Sequence, residues 1–243
     1  MQKYTENNRK ASFVFEEREI KVMQEMKLFY GLQSDKIEAV LQCLQARRKK
    51  CKKHTTIIAM GEKATKGYVI LSGKVELSTF DIEGRKNIID IRKEGNYFLG
   101  NFTFPSDSIA RYQVVALKDS EFLVLDLPSI FKVEKSKCCY RNYVTDNLLR
   151  MMVEDNQFLI LKNEILSQKT LRLKLLIYLK FLQKGKKGTC VSIPFNRTEL
   201  ADFLSADRSA LSREIGNMVE EKILFVKNNQ FQILQDESLA YIL

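Results

Sequence analysis

Chain breakers are distributed so unevenly along this sequence that they divide it before any motif is sought. Six of the ten glycines (Gly61, Gly67, Gly73, Gly84, Gly95 and Gly100) fall within residues 61–100, whereas the run from Cys139 to Leu166 holds neither glycine nor proline. Between the glycines lie short apolar runs, Tyr68–Leu71, Val75–Phe80, Asn87–Ile91 and Tyr97–Leu99, continued by Val114–Ala116 and Glu121–Asp126 before Pro128. Short β-branched and aromatic runs separated by tight-turn residues are the pattern of a barrel or sandwich. Asp81-Ile82-Glu83-Gly84 is expected to be a hairpin turn, because glycine takes positive φ without a side-chain clash. Residues 60–128 thus predict a β domain.

The uninterrupted stretch predicts one long helix. Val144, Leu148, Met151, Asp155, Phe158, Lys162 and Ile165 follow 4–3 spacing, and five of these seven are apolar, as in the seam of a two-stranded coiled coil. Val144, Leu148, Met151 and Phe158 are therefore expected to join two copies of the chain, with Asp155 and Lys162 interrupting the seam. The alternative is a helix packed on its own β domain. Ser34–Ala46 predicts a shorter amphipathic helix capped by Ser34, with Ile37, Val40, Leu41 and Leu44 on its apolar side. Residues 1–25 are charged and weakly patterned. Thr170–Gln183 predicts another amphipathic helix, Lys184–Gly188 a loop, and Val191-Ser192-Ile193 a short strand closed by Pro194.

Residues 196–234 carry the most information. Asn196 with Glu199 three residues on is a capping pair that opens a short helix ending near Leu204. Ser205-Ala206 leaves room only for a tight turn, and Asp207 caps a second helix. At 100° per residue, Ala210, Leu211, Glu214, Ile215, Met218 and Val219 fall on one half of that helix. Arg208, Ser209, Ser212, Arg213, Gly216, Asn217 and Glu220 fall on the other. Small residues let a helix sit deep in a groove, and arginine forks match the acceptor pair of a guanine edge. Phe225–Ile233 reads as a hairpin turning at Asn228-Asn229. Two short helices, a tight turn and a hairpin make a winged helix-turn-helix, a DNA-binding unit.

On these residues the chain resembles the Crp/Fnr family of bacterial transcription regulators, over about residues 28–234. The resemblance implies an α+β fold: an N-terminal double-stranded, jelly-roll-like β-roll, a long dimerisation helix and a C-terminal winged helix-turn-helix. The corresponding boundaries are 1–27 for an N-terminal extension, 28–135 for the sensor, 136–168 for the dimerisation helix and 169–243 for the DNA-binding domain. Arg208-Ser209-Ala210-Leu211-Ser212-Arg213 is similar to the family's recognition helix, in which the roles of operator reading fall on Arg208, Ser209 and Arg213. Thr198, Ser212, Asn217 and Lys227 complete the expected DNA-contact set. Ser209 stands where well-known members carry glutamate, Ser205 where a turn glycine is usual, and Glu214 where an apolar residue is common.

Family members that bind cyclic nucleotides carry Phe-Gly-Glu, followed some ten residues later by Arg-Ser/Thr-Ala. Here Phe98-Leu99-Gly100-Asn101-Phe102 puts Asn101 at the glutamate position, and the nearby Arg111 is followed by Tyr112-Gln113. Phe98, Gly100, Asn101, Arg111 and Tyr112 mark the expected effector pocket. A buried phosphate without its paired charges would be costly, so cyclic AMP is not the expected effector, and no cofactor is implied.

Lys and Arg exceed Asp and Glu by 40 to 30; residues 61–168 are balanced, so the surplus lies in the two flanks. Basic flanks suit a polyanionic partner. The expected partners are a pseudo-palindromic double-stranded DNA, a second copy of the chain and RNA polymerase. The polar N-terminus and the lack of a long apolar run lead to a cytoplasmic expectation with no membrane contact. His54 is the one histidine, and the five cysteines lack CxxC spacing, so no metal site is expected. Arg47–Lys53 is expected to be a solvated strand edge. Cys138-Cys139 admits a redox switch, and a ligand-binding or thiol-redox module acting through a protein partner is the rival reading. That rival would place an acidic or apolar face where Ser209, Ser212 and Arg213 stand. No hydrolase, zinc-protease or Rossmann signature occurs, and the chain is not expected to be an enzyme.

Overall fold

A computed structural model describes residues 17–99, 109–127, 140–183 and 189–234. The described part of the N-terminal segment, unpatterned in the sequence, is helical: α1 spans Glu17–Gln24, a 3-10 turn spans Lys27–Phe29, and α2 spans Ser34–Cys43. Ser34 is the first helical residue of α2 rather than its cap; Gln33 holds that position without a side-chain bond. The apolar spacing of the predicted helix is kept, with Ile37, Val40 and Leu41 buried.

Eight strands follow: β1 (Arg47–Cys51), β2 (Thr56–Ile58), β3 (Gly67–Ser72), β4 (Lys74–Phe80), β5 (Lys86–Lys93), β6 (Tyr97–Leu99), β7 (Gln113–Ala116) and β8 (Ser120–Leu125). They pair antiparallel as β1-β8-β3-β6 and β2-β7-β4-β5, two four-stranded sheets around one core. Between them pack Ile58, Ile70, Val75, Phe98, Val114 and Phe122. Phe98 stacks on Tyr68 at 4.7 Å and meets Phe122 edge-on at 5.6 Å. The β4–β5 hairpin turns where expected, with Gly84 at φ 78°. Gly73, at φ 103°, lies against Ser120; a Cβ there would come within 2.1 Å of the Ser120 hydroxyl. The basic run 47–51 is β1 at the edge of its sheet, where lysines discourage strand-to-strand association.

The long helix, α3, spans Arg141–Ser167, and α4 spans Leu171–Gln183. Val144, Leu148 and Met151 are buried against Leu28, Phe29 and Ile37 of the same chain. Ile165 and the half-buried Phe158 join the C-terminal core. The two polar interruptions are spent in the same way. Asp155 accepts from the Arg92 guanidinium of β5 at 2.8 Å, and Lys162 donates to the Ile88 carbonyl of β5 at 3.0 Å. The 4–3 repeat thus records packing on the chain's own domains. The assignment of Val144, Leu148, Met151 and Phe158 to a contact between copies gives way to it, because those side chains are already occupied. The opposite side of α3 exposes Leu149, Met152, Val153, Leu159 and Ile160.

The C-terminal unit comprises α4, β9 (Val191-Ser192), α5 (Arg197–Leu204), α6 (Arg208–Glu220), β10 (Leu224–Lys227) and β11 (Gln230–Ile233), with strand order β10-β11-β9. Leu175, Tyr178, Leu179, Phe195, Leu200, Phe203, Leu211, Ile215, Met218 and Phe231 form its core. Ile88 and Ile91 of β5 belong to that same cluster, so a sensor strand is packed directly on the C-terminal unit.

Candidate nucleic-acid interface

The geometry of the two short helices is set locally. Asn196 Oδ1 accepts from the Glu199 N–H at 2.9 Å while Glu199 accepts from the Asn196 N–H at 2.7 Å, a reciprocal cap that fixes the start of α5. The helix ends at Ser205, which adopts the left-handed conformation at φ 49°, ψ 58°. The turn therefore keeps the backbone shape for which glycine is usual, at a steric cost of about 1–2 kcal/mol for an L-residue. The Ser205 hydroxyl compensates in part by accepting from the Asn87 amide of β5 at 3.0 Å.

Asp207 caps α6 by accepting from the Ser209 and Ala210 N–H groups at 2.8 and 3.0 Å. The Ser209 hydroxyl also donates to this carboxylate. These bonds, the hydroxyl's first among them, hold the Asp207 carboxyl below the usual carboxylate range. Ser209 is thus committed to the cap in the DNA-free chain.

The inner face of α6 buries Leu211, Ile215 and Met218, while Arg208, Ser209, Ser212, Arg213 and Asn217 are all exposed. Val219, expected on the inner half, lies at the rim and is 41% exposed. Glu214 is accommodated by Arg172 of α4, whose Nε donates to it at 2.6 Å while the guanidinium holds Glu221 at 2.6 and 2.8 Å. That ion pair, between residues 42 and 49 positions apart, had no local signature in the sequence.

The hairpin turns at Asn228 and Asn229, with φ 47° and 64°. Asn229 does more than turn: its amide donates to the Ile193 and Phe195 carbonyls at 3.0 Å each, pinning the wing beside α5. Arg197, unremarked in the sequence, lies over the Phe231 ring at 4.9 Å and ties the first helix to the wing by a cation–π contact. Thr198 at the start of α5 and Lys227 at the end of β10 are exposed. The expected DNA-contact residues therefore come from the start of α5, one face of α6 and the wing, with the helix backs anchored in one core.

The expected effector pocket is less coherent. Phe98 is fully buried among aromatic rings, the Tyr112 hydroxyl donates to the Leu99 carbonyl, and Arg111 is exposed. Gly100 and Asn101 lie outside the described residues, as do Cys138 and Cys139. Among the described residues no group of three or more His, Cys, Asp or Glu side chains is placed to hold a metal ion, and no helix is long and apolar enough to cross a membrane.

Residues 48–136 match the cyclic nucleotide-binding domain family, and residues 173–242 match the Crp-like helix-turn-helix domain family. The chain is 22% identical over 221 residues to a probable transcriptional regulator, flp, of Lacticaseibacillus casei, covering 87% of this chain and 93% of that protein. Its fold is similar to that of a CooA mutant from Carboxydothermus hydrogenoformans, at 17% identity and TM-score 0.64, covering 84% of this chain and 89% of the other. It is similar also to the c-di-GMP-responsive global regulator CLP of Xanthomonas campestris, at 16% identity and TM-score 0.60, covering 84% of this chain and all of that one.

Proposed function

This chain belongs to the Crp/Fnr family of transcription regulators, a family of DNA-binding proteins and not of enzymes, and from that premise we propose that it works as a homodimer reading a pseudo-palindromic operator through α6. One observation carries the reading. Arg208, Ser212, Arg213 and Asn217 share an exposed helix face whose back is locked in a core by Leu211, Ile215 and Met218. Arg208 and Arg213 supply the forks that match guanine edges, and Ser212 keeps the face low enough to enter the major groove. Ser209 reads a base only after its hydroxyl leaves Asp207, which makes its role conditional. Thr198 and Lys227 meet phosphate, fixing register without reading sequence.

The dimer forms through the outward side of α3. Leu149, Asn156 and Asn163 repeat every seven residues, Met152 and Leu159 follow three residues after the first two, and Val153 and Ile160 flank the stripe. This is a heptad seam with asparagine at two positions, a device that favours one register at some cost in stability.

The effector is a small molecule other than cyclic AMP or cyclic GMP, bound in the β-roll. The broken motif at Asn101 and Arg111 supports this, as does the engagement of Phe98 and Tyr112 in the protein's own contacts. CLP, similar in fold, is a c-di-GMP-responsive regulator, and one fold hosts more than one ligand chemistry. RNA polymerase is the partner through which a bound dimer would act, in the cytoplasm. Operator selection from a random DNA pool tests the reading. It should return two inverted half-sites with centres about one helical turn, or ~34 Å, apart; selection of no sequence, or of an unrepeated site, would overturn it.

A further inference from the structure

Lys162 sits where three parts of the molecule meet. Its amino group donates to the Ile88 carbonyl of β5 at 3.0 Å and to the Phe203 carbonyl at the end of α5, and lies 3.5 Å from the centre of the Phe203 ring. It is 7% exposed, and no salt bridge reaches it among the described residues. The carbonyls it serves are functionally placed. Phe203 and Leu204 end the first helix of the helix-turn-helix, and the Lys174 amino group of α4 takes the Leu204 carbonyl at 3.2 Å. Two lysines thus satisfy the last carbonyls of α5, one turn before the recognition helix begins. Around this point β5 holds the same unit by Asn87 to Ser205 and by Lys86, 3.7 Å from Asp202, and β4 adds Lys74 to the Pro194 carbonyl at 2.8 Å.

We propose that Lys162 is a proton-responsive latch, a positioning residue that docks the helix-turn-helix on sensor strand β5 and releases it when the ammonium form is favoured. Burial without a carboxylate partner penalises the ammonium form, a cost that the two carbonyls and the Phe203 ring face, which receive its three protons, offset only in part. The charged groups felt by Lys162 are Asp90 of β5 and Lys174 of α4. Asp90 is itself bonded to Arg92, and burial raises its pKa despite that neighbour. From its own helix the nearest acid two turns back, Asp155, is likewise spent on Arg92. α5 presents its terminal carbonyls and the Phe203 ring, while its Asp202 faces Lys86; Tyr178 of α4 lies in the same core. Burial, partly offset by Asp90 and reinforced by Lys174, lowers Lys162 to about 7.

The sign follows from linkage. Released into water, Lys162 returns to its ordinary value of about 10.4. Below about pH 7 both states carry the proton, and docking bears the full penalty of burying it. Between there and about pH 10, docking strengthens by up to about tenfold per pH unit. Docking leaves Arg208, Ser212, Arg213 and Asn217 exposed, so the docked unit is free to read DNA from a fixed position. Raising the pH should therefore tighten operator binding, against the usual trend for a basic protein. The DNA arm of this inference rests on the proposed operator reading; the docking arm does not.

The test uses the full chain carrying a dye pair at the exposed positions Glu83 and Glu220, without DNA, from pH 6.5 to 9. Energy transfer in the otherwise native chain should titrate as the docked-to-released ratio rises, by up to about a hundredfold across two pH units. It should be pH-independent and docked in Lys162→Met, and pH-independent and released in Lys162→Arg, which keeps its charge. Flat transfer in the native chain overturns the proposal, as does a Lys162→Met variant that titrates like it; the native profile decides the matter even if a variant fails to fold. In parallel, the ratio of native to Lys162→Met operator affinity should rise at least threefold from pH 6.5 to 8.5. Titrating transfer without any selected operator would refute the DNA reading and leave the latch standing.

Discussion

Replacing Leu149 and Met151 separately by glutamate distinguishes the two faces of α3, which lie only two residues apart in sequence. Leu149 is 60% exposed in the single chain, whereas Met151 is 3% exposed, and its carbonyl accepts from the Tyr97 hydroxyl at 2.6 Å. Fully burying a leucine side chain gains about 1.5–3 kcal/mol. The exposed share of Leu149 therefore accounts for about 1–2 kcal/mol per copy and about 2–4 kcal/mol per dimer. At about 1.4 kcal/mol per tenfold, Leu149→Glu should raise the dimer dissociation constant by about 30- to 1000-fold. Its melting temperature should change little at protein concentrations low enough that both chains are monomeric, since dimer formation stabilises the fold by mass action. Met151→Glu instead puts an unpaired carboxylate beside Phe29 and Leu148, where burial costs several kcal/mol, and should destabilise the fold itself. Sedimentation equilibrium over a thousandfold concentration range, with thermal melts on the same samples, separates the two outcomes. A Leu149→Glu chain that dimerises at native affinity, or a Met151→Glu chain that is a well-folded monomer, would refute the assignment of faces.

Ser205→Val should destabilise the C-terminal unit by at least about 1 kcal/mol, since a β-branched side chain resists the left-handed turn; Ser205→Gly should melt within a few degrees of native. Arg172→Met should lower stability modestly, and Glu214→Leu in that background should restore it. A double-mutant cycle by chemical denaturation should give a coupling of about 0.5–1 kcal/mol, as expected for a partly exposed pair. Calorimetry should find cyclic AMP and cyclic GMP binding no tighter than about millimolar, a dissociation free energy near 4 kcal/mol. Micromolar affinity for either would mean that the residues around Asn101 neutralise a phosphate after all.

The β-roll was legible wherever a turn needed positive φ, because Gly84 and its fellows punctuate the strands. β1 was legible only as a basic strand edge, since Arg47 to Cys51 has little apolar alternation to show, and β2 escaped because Thr56–Ile58 is only three residues long. The helix-turn-helix was legible down to its caps, since Asn196, Glu199 and Asp207 act within three residues of themselves. The length of α3 could be read from the absence of breakers, but not the identity of what covers each side. Both faces are apolar, and periodicity gives angles rather than neighbours. Asp155 and Lys162 were the available clue: polar side chains in an apolar seam answer to partners of their own, here Arg92 and two carbonyls far away in sequence. The effector pocket stayed obscure for a similar reason, since Phe98 is engaged by Tyr68 on the neighbouring strand and Tyr112 by the Leu99 carbonyl.

Salt-titrated binding to the selected operator, comparing Arg213→Ala with Lys227→Ala, tests most directly whether α6 reads the DNA. Arg213 stands on the exposed face of α6, five residues after Arg208, and Lys227 in the wing. Loss of a guanine-reading fork should cost about 1–3 kcal/mol on the preferred operator and relax selection at one position in each half-site, with the salt slope little changed. Loss of a phosphate contact should weaken binding to all sequences alike and flatten the slope by about one unit per site. If Arg213→Ala selects the same operator with undiminished discrimination, α6 is not the reading helix and the account fails.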